Sequence, residues 1–254
     1  MSTKNYWPEN FSGAVSLTFD DGSENQLEVA VPMMNERKIR GTFYLCASLG
    51  GKNYKEAFVA WKKVFDSGHE IGNHTFSHKC SRSLGTIPTG GLEDMTLEEI
   101  EKDILEAEGR INEIFPNRGK GTFCYPCYMS FVGEGLTRQS YVPVVAKHFI
   151  AARASGEYGF FNYPLSCNLH HLTAYPAEHT KGTELVGLVE RAMRRREWII
   201  FAFHTIDGGR LGCPSLFFEE LLDHLILNKE RIWVAPVAEI ASYVAGLRKK
   251  IKSS

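Results

Sequence analysis

Ala14-Val-Ser-Leu-Thr-Phe-Asp-Asp-Gly22 is an apolar run that ends abruptly in two carboxylates and a glycine. Residues 14–19 are nearly continuously apolar and rich in β-branched and aromatic side chains, as strands buried on both faces tend to be. Other runs read the same way: Gly41-Thr-Phe-Tyr-Leu-Cys46, Gly121-Thr-Phe-Cys-Tyr125, His148-Phe-Ile-Ala-Ala152, Trp198-Ile-Ile-Phe-Ala-Phe203 and Ile232-Trp-Val-Ala235. Helical patterns lie between them. Leu97, Ile100, Ile104, Ala107, Ile111 and Ile114 fall three and four apart along one face, Thr96 with Glu99 supplies a capping box, and Pro116 marks the end. Residues 185–189, 221–225 and 237–247 carry shorter helical patterns.

Strands alternating with helices imply parallel pairing through right-handed crossovers. The expected fold is a single α/β domain over residues 1–254, a closed or nearly closed β/α barrel. Its core runs from about residue 11 to 244, with a lysine-rich tail, Arg248-Lys-Lys-Ile-Lys-Ser-Ser254, that frays. In such a barrel the functional groups collect at the carboxyl ends of the strands.

The composition bounds the function. With 254 residues, 43% apolar and 23% charged, the chain is neither disordered nor collagen-like. A formal charge of −1 offers no field to attract nucleic acid or an anionic membrane. No run approaches the ~18 consecutive apolar residues of a membrane span. The opening Met1-Ser-Thr-Lys-Asn-Tyr-Trp-Pro8 lacks the apolar core of a secretory signal, so a cytoplasmic location is expected, although a trimmed export signal would look the same. Six cysteines in so long a chain are no disulfide scaffold; Cys46, Cys80, Cys167 and Cys213 are scattered, and most of them read as buried thiols. The four arginines within residues 191–196 suit the end of a helix, where cations offset its dipole. His170-His171 reads as a solvated loop pair. Nothing in the sequence sets the oligomeric state.

Three motifs carry chemistry. Thr18-Phe19-Asp20-Asp21-Gly22 places two carboxylates at a strand end; alone it reads equally as a turn or as a site. His74-Thr-Phe-Ser-His78 spaces two imidazoles four apart, which on a helical turn puts both on one side. That is a workable metal clamp, or a solvated surface pair. Phe201-Ala-Phe-His204 ends the most apolar strand in a histidine that would face the same barrel mouth, placed as a general acid or base. Two nitrogens and one oxygen leave positions open for water and substrate, the layout of a catalytic metal site.

Together, Thr18-Phe-Asp-Asp-Gly22, His74-Thr-Phe-Ser-His78 and the strand-ending His204 resemble motifs of the polysaccharide deacetylases with a NodB-homology domain (carbohydrate esterase family four). Gly41-Thr-Phe-Tyr44 and Gly68-His-Glu-Ile-Gly72 resemble the family's second strand and its run into the histidine motif. The likeness spans residues 11–244. It implies a distorted, incomplete β/α barrel with a divalent ion, most often Zn2+, held by Asp21, His74 and His78. It further implies Asp20 as general base and His204 as general acid.

The family's third motif has an arginine two residues before a proline. Here the matching segment is Phe123-Cys124-Tyr125-Pro126-Cys127-Tyr128, so a thiol stands where a permanent cation is expected. Arg153, at the end of the next strand-like run, is the candidate to take over; the other reading is a surface or loop-binding arginine. Tyr125, Pro126, Cys127 and Arg153 are assigned to the substrate-binding side, with a backbone N–H near Cys127 on the oxyanion. The partner that tunes the acid His204 has no match in the sequence. Cys124-Tyr-Pro-Cys127 also resembles a thioredoxin-type redox pair, without the helix that such a pair needs behind it. The implied function is a metal-dependent hydrolase removing N-acetyl or O-acetyl groups from a carbohydrate. The alternatives are a C–N hydrolase acting on a small cytosolic amide and a catalytically silent carbohydrate-binding relative.

Overall fold

The computed structural model describes residues 5–8, 10–49, 51–85, 89–156 and 159–253. Its strands are β1 Gly13–Phe19, β2 Thr42–Leu45, β3 Glu70–Asn73, β4 Thr122–Cys124, β5 Phe131–Val132, β6 Gln139–Ser140, β7 Ala151–Ala154, β8 Leu172–Thr173, β9 Tyr175–Pro176, β10 Trp198–Phe203, β11 Thr205–Ile206, β12 Gly212–Cys213 and β13 Ile232–Val234. Its α-helices are α1 Val31–Glu36, α2 Tyr54–Asp66, α3 Leu97–Ile114, α4 Val142–His148, α5 Gly182–Arg195, α6 Ser215–Leu227 and α7 Val237–Lys252.

The main sheet is parallel throughout and runs β8-β7-β4-β3-β2-β1-β10-β9, with β13 also paired to β1. The two ends of this path, β8 and β9, are separated in the chain by Ala174 alone, so the sheet curls into the nearly closed barrel expected from the sequence. It is distorted around β1, whose first residues pair with β13 and whose last pair with β2. The short pairs β5–β6 and β11–β12 stand apart from it.

Alternation along β1 sorts the side chains. Val15, Leu17 and Phe19 face outward into a cluster with Val189 of α5 and Phe218 and Leu221 of α6. Ala14, Ser16, Thr18 and then Asp20 face inward. The same parity carries Cys124 on from β4, Arg153 on β7 and His204 beyond β10 toward the barrel interior. Helix α3 ends where Pro116 requires, and its capping box is formed by Thr96 and Glu99.

Several boundaries differ from the sequence reading. The strand expected at 148–152 lies at Ala151–Ala154, because His148 closes α4 and Phe149 caps it. Strand β3 escapes a hydrophobicity search because Glu70-Ile-Gly-Asn73 is half polar. Gly72 is needed there, since a Cβ would lie 2.4 Å from the Tyr44 ring. The tail expected to fray continues α7 to Lys252, and Arg248 donates to the carbonyls of Pro164 and Cys167. Among the described residues no helix is long and apolar enough to cross a membrane.

Candidate active site

Backbone ladders deliver the expected residues to one end of the barrel. Asp20 N–H donates to Phe203 O at 2.9 Å, His74 N–H to Leu45 O at 3.1 Å, and Tyr125 N–H to Arg153 O at 3.1 Å. Asp20, Asp21, His74, His78 and His204 all line one cleft of about 910 Å³ at the carboxyl ends of the strands. That volume is ample for a sugar.

Asp21 Oδ1 lies 3.4 Å from His74 Nε2 and 3.3 Å from His78 Nε2, and the two Nε2 atoms are 3.2 Å apart. Ligand atoms roughly 2 Å from a tetrahedral zinc lie about 3.3 Å from one another, so this triangle matches three corners of such a site. His74 is buried, and its Nδ1 lies 2.9 Å from Cys124 O, the geometry of a donated proton; that tautomer leaves Nε2 as the free lone pair. Burial alone would raise the Asp21 carboxyl, but hydrogen bonds and charge from His74 and His78 outweigh it and hold the group far below the usual carboxylate range. Burial lowers the His78 imidazole, and Asp21 more than reverses that. The donor set thus fits a divalent cation.

The histidine pair does not sit on a helical turn, contrary to the spacing argument. Residues 74–78 form a loop in which Thr75 and His78 take left-handed backbone conformations. Polar side chains hold it in place of a helical ladder. Asn73 Oδ1 accepts from Thr75 N–H, Asp103 Oδ2 accepts from the N–H groups of Phe76 and Ser77, and Thr75 Oγ1 accepts from His78 N–H.

Asp20 stands beside this triangle as a separate, buried carboxylate. Its Oδ1 accepts from Arg153 Nη2, and Cys124 Sγ lies 3.6 Å from its Oδ2. Cys124 and Arg153 are direct partners in the β4–β7 register. The guanidinium missing at Cys124 therefore arrives from the adjoining position on the next strand, and the short thiol leaves room for it. Arg153 is 0% exposed and lies over the Tyr44 ring at 5.0 Å. Burial disfavours its charge, and the Asp20 carboxylate more than restores it. Burial pushes the Cys124 thiol well up, so it remains a protonated S–H.

On the far side, His204 Nδ1 lies 3.4 Å from Glu178 Oε1. Glu178 supplies the acidic partner that the sequence could not place; it follows β9, a two-residue strand with no sequence signal. Gln26 is a second residue that sequence reasoning missed. Fully buried, its amide nitrogen donates to both Asp20 O and His204 O and so fixes the two strand ends relative to each other. A lone glutamine beyond a turn gives no pattern to detect.

The segment assigned to substrate binding divides. Tyr125 is 1% exposed, packs with Phe123 and Tyr141, and donates its hydroxyl proton to His170 O, so it is turned away from the cleft. Pro126 is buried at the start of the following turn. Cys127 and Tyr128 line the cleft in left-handed conformations. Arg153 holds Asp20 from below. Cys127 is joined to Cys80 in a disulfide, which corrects the reading of Cys80 as a free buried thiol and removes the Cys124–Cys127 redox pair. The side-chain oxygens of Ser77 and Tyr128 line the cleft buried and without a hydrogen-bond partner, as expected where a ligand completes the network.

Residues 9–129 match the family model described as polysaccharide deacetylase. A chitin disaccharide deacetylase of Vibrio alginolyticus is 36% identical over 70 residues, 26% of this chain and 16% of that protein. A peptidoglycan-N-acetylmuramic acid deacetylase of Bacillus subtilis is 27% identical over 110 residues, 43% of this chain and 39% of that one. The chain thus covers well under half the length of these relatives. A family 4 acetyl xylan esterase from Clostridium thermocellum, solved in complex with a cobalt ion, superposes with a TM-score of 0.56 at 19% identity over 90% of both chains. That likeness is one of fold.

Proposed function

We propose that this chain, which belongs to the polysaccharide deacetylase family over residues 9–129, is a metal-dependent hydrolase that removes N-acetyl or O-acetyl groups from a carbohydrate. The observation that carries the reading is the Asp21–His74–His78 triangle with a separate carboxylate, Asp20, beside it. A divalent cation held by Asp21, His74 and His78, most suitably Zn2+, would supply Lewis-acid activation of water and polarisation of the acyl carbonyl.

The chain's own groups then divide the proton work. Asp20 accepts the proton of the attacking water; the Arg153 guanidinium occupies its Oδ1 and fixes the carboxylate, which leaves Oδ2 for the transfer. His204 delivers a proton to the departing nitrogen or oxygen, oriented by Glu178. Gln26 keeps base and acid in register across the cleft. In the turn at Cys127 and Tyr128 the Tyr128 N–H is taken by Tyr125 O, and the Cys127 N–H is the group offered to the developing oxyanion.

The catalytically silent alternative rested on the missing arginine. Arg153 supplies that charge, which removes its main support. The Cys80–Cys127 disulfide favours an oxidising compartment, and so weighs for an extracytoplasmic glycan over a small cytosolic amide. The test is acetate release from N-acetylglucosamine oligomers and acetylated xylan by the zinc-loaded protein. Asp20→Asn should abolish turnover while metal stays bound, and full activity in that variant refutes the assignment of the base.

A further inference from the structure

Strands β3 and β4 carry the two walls of the cleft, yet they share a single register pair, Asn73 with Phe123, and separate just below the site. Beyond β3 the chain carries His78 and then Cys80; β4 ends in Cys124, and beyond it the chain carries Cys127. The disulfide closes this gap, with Cα atoms 5.8 Å apart and 47 residues between the cysteines in the chain. Around it the walls are also tied by His74 Nδ1 to Cys124 O at 2.9 Å, Ser81 N–H to Met129 Sδ at 3.1 Å, Arg82 Nη2 to Glu134 Oε2 at 2.6 Å and Gly133 N–H to Leu92 O at 2.9 Å, but only the disulfide is covalent and reaches both the His78 loop and the Cys127 turn.

The two anchored segments matter for different reasons. His74 has a carbonyl partner for its Nδ1, whereas the Nδ1 of His78 faces Cys80 Sγ at 3.9 Å. Both Cys127 and Tyr128 hold left-handed conformations that a non-glycine residue adopts only under constraint. Both cysteines line the cleft and are partly exposed, so a small reductant can reach the bond.

We infer that the Cys80–Cys127 disulfide is a positioning device for the active site: it holds His78 against its fellow ligands and the Cys127–Tyr128 turn against the reacting carbonyl. Zinc affinity and turnover therefore depend on its oxidised state. The inference rests on the proposed metal site. With a phosphine reductant the disulfide accepts two electrons and two protons to give two thiols, while phosphine and water yield the phosphine oxide. Reoxidation restores the site.

The test measures zinc affinity against a chromophoric chelator, with no substrate present, for the oxidised protein and for Cys80→Ser/Cys127→Ser, whose hydroxyls cannot capture zinc as thiols would. Kinetics of acetate release are recorded for both and for the phosphine-reduced protein. The double variant should bind zinc about tenfold or more weakly, the range seen when a group that orients a ligand is lost. Its kcat and that of the reduced protein should fall together. Leu225→Ala, a cavity in α6 on the far side of β1, should lower the melting temperature without changing zinc affinity. Unchanged zinc affinity in the double serine variant overturns the inference, and so does an equal loss in Leu225→Ala, which makes the bond a matter of global stability. No zinc on the oxidised protein overturns the metal reading itself, and this inference with it.

Discussion

The buried pair Asp20–Arg153 gives the sharpest prediction. It joins the ends of β1 and β7 with both side chains almost wholly shielded from water, 5% and 0% exposed. Replacing Arg153 by Met removes the cation hydrogen-bonded to Asp20 and leaves its carboxylate facing a weak thiol donor 3.6 Å away. Stranding one charge of a buried pair costs about 3–5 kcal/mol. For a chain of this size each kcal/mol lowers the melting temperature by about 2–4 °C, so a fall of roughly 6–20 °C is expected. Asp20→Asn/Arg153→Met strands no charge and should recover most of that loss, with a coupling energy of at least about 2 kcal/mol by urea unfolding. Turnover of Arg153→Met should drop by about a hundredfold or more, since the base loses the hydrogen-bonded cation that orients it. Additive destabilisation in the double variant, or full turnover in Arg153→Met, refutes the claim that Arg153 replaces the arginine missing at Cys124.

Gln26→Leu leaves the buried carbonyls of Asp20 and His204 without their donor, so stability should fall by about 1–3 kcal/mol. Its kcat should fall further than its KM changes, as steady-state kinetics will show. Glu178→Gln keeps the shape but removes the charge facing His204, and kcat should decline by roughly tenfold to a hundredfold, an effect absent from zinc affinity. His69, under the barrel, is buried with Nδ1 accepting from Gly41 N–H, and burial lowers its pKa to about 4. Because the unfolded chain binds that proton near 6.5, stability present above pH 6.5 should be lost on the way down to about pH 4. The loss amounts to roughly 3 kcal/mol, measured as a falling urea midpoint and absent from a variant without this histidine.

Much of this site was legible because its chemistry is written where strands stop. Asp20, Asp21 and His204 follow long apolar runs whose parity fixes which side chains reach the barrel mouth, so period-two reasoning sufficed. His74 and His78 do converge, but not on the helical turn their spacing suggests: the convergence comes from Asn73, Asp103 and two left-handed residues, none of which leaves a periodic trace. Strand β3 was hidden because a glycine and an asparagine serve neighbours within a half-polar run. Gln26, Glu178 and the Cys80–Cys127 bond depend on contacts between segments 178, 26 and 47 residues apart, and a single sequence carries no local pattern for such distances. Arg153 could be proposed from the position of its strand, but only the β4–β7 register shows why Cys124 and Arg153 act at one place.

The central claim is most directly tested by counting metal. After zinc loading and exhaustive dialysis, elemental analysis of the oxidised wild-type chain should find close to one ion per molecule. His74→Ala and His78→Ala should each lose it, while Asp20→Asn retains it. A wild-type chain that emerges without zinc, or histidine variants that keep a full complement, would contradict the account.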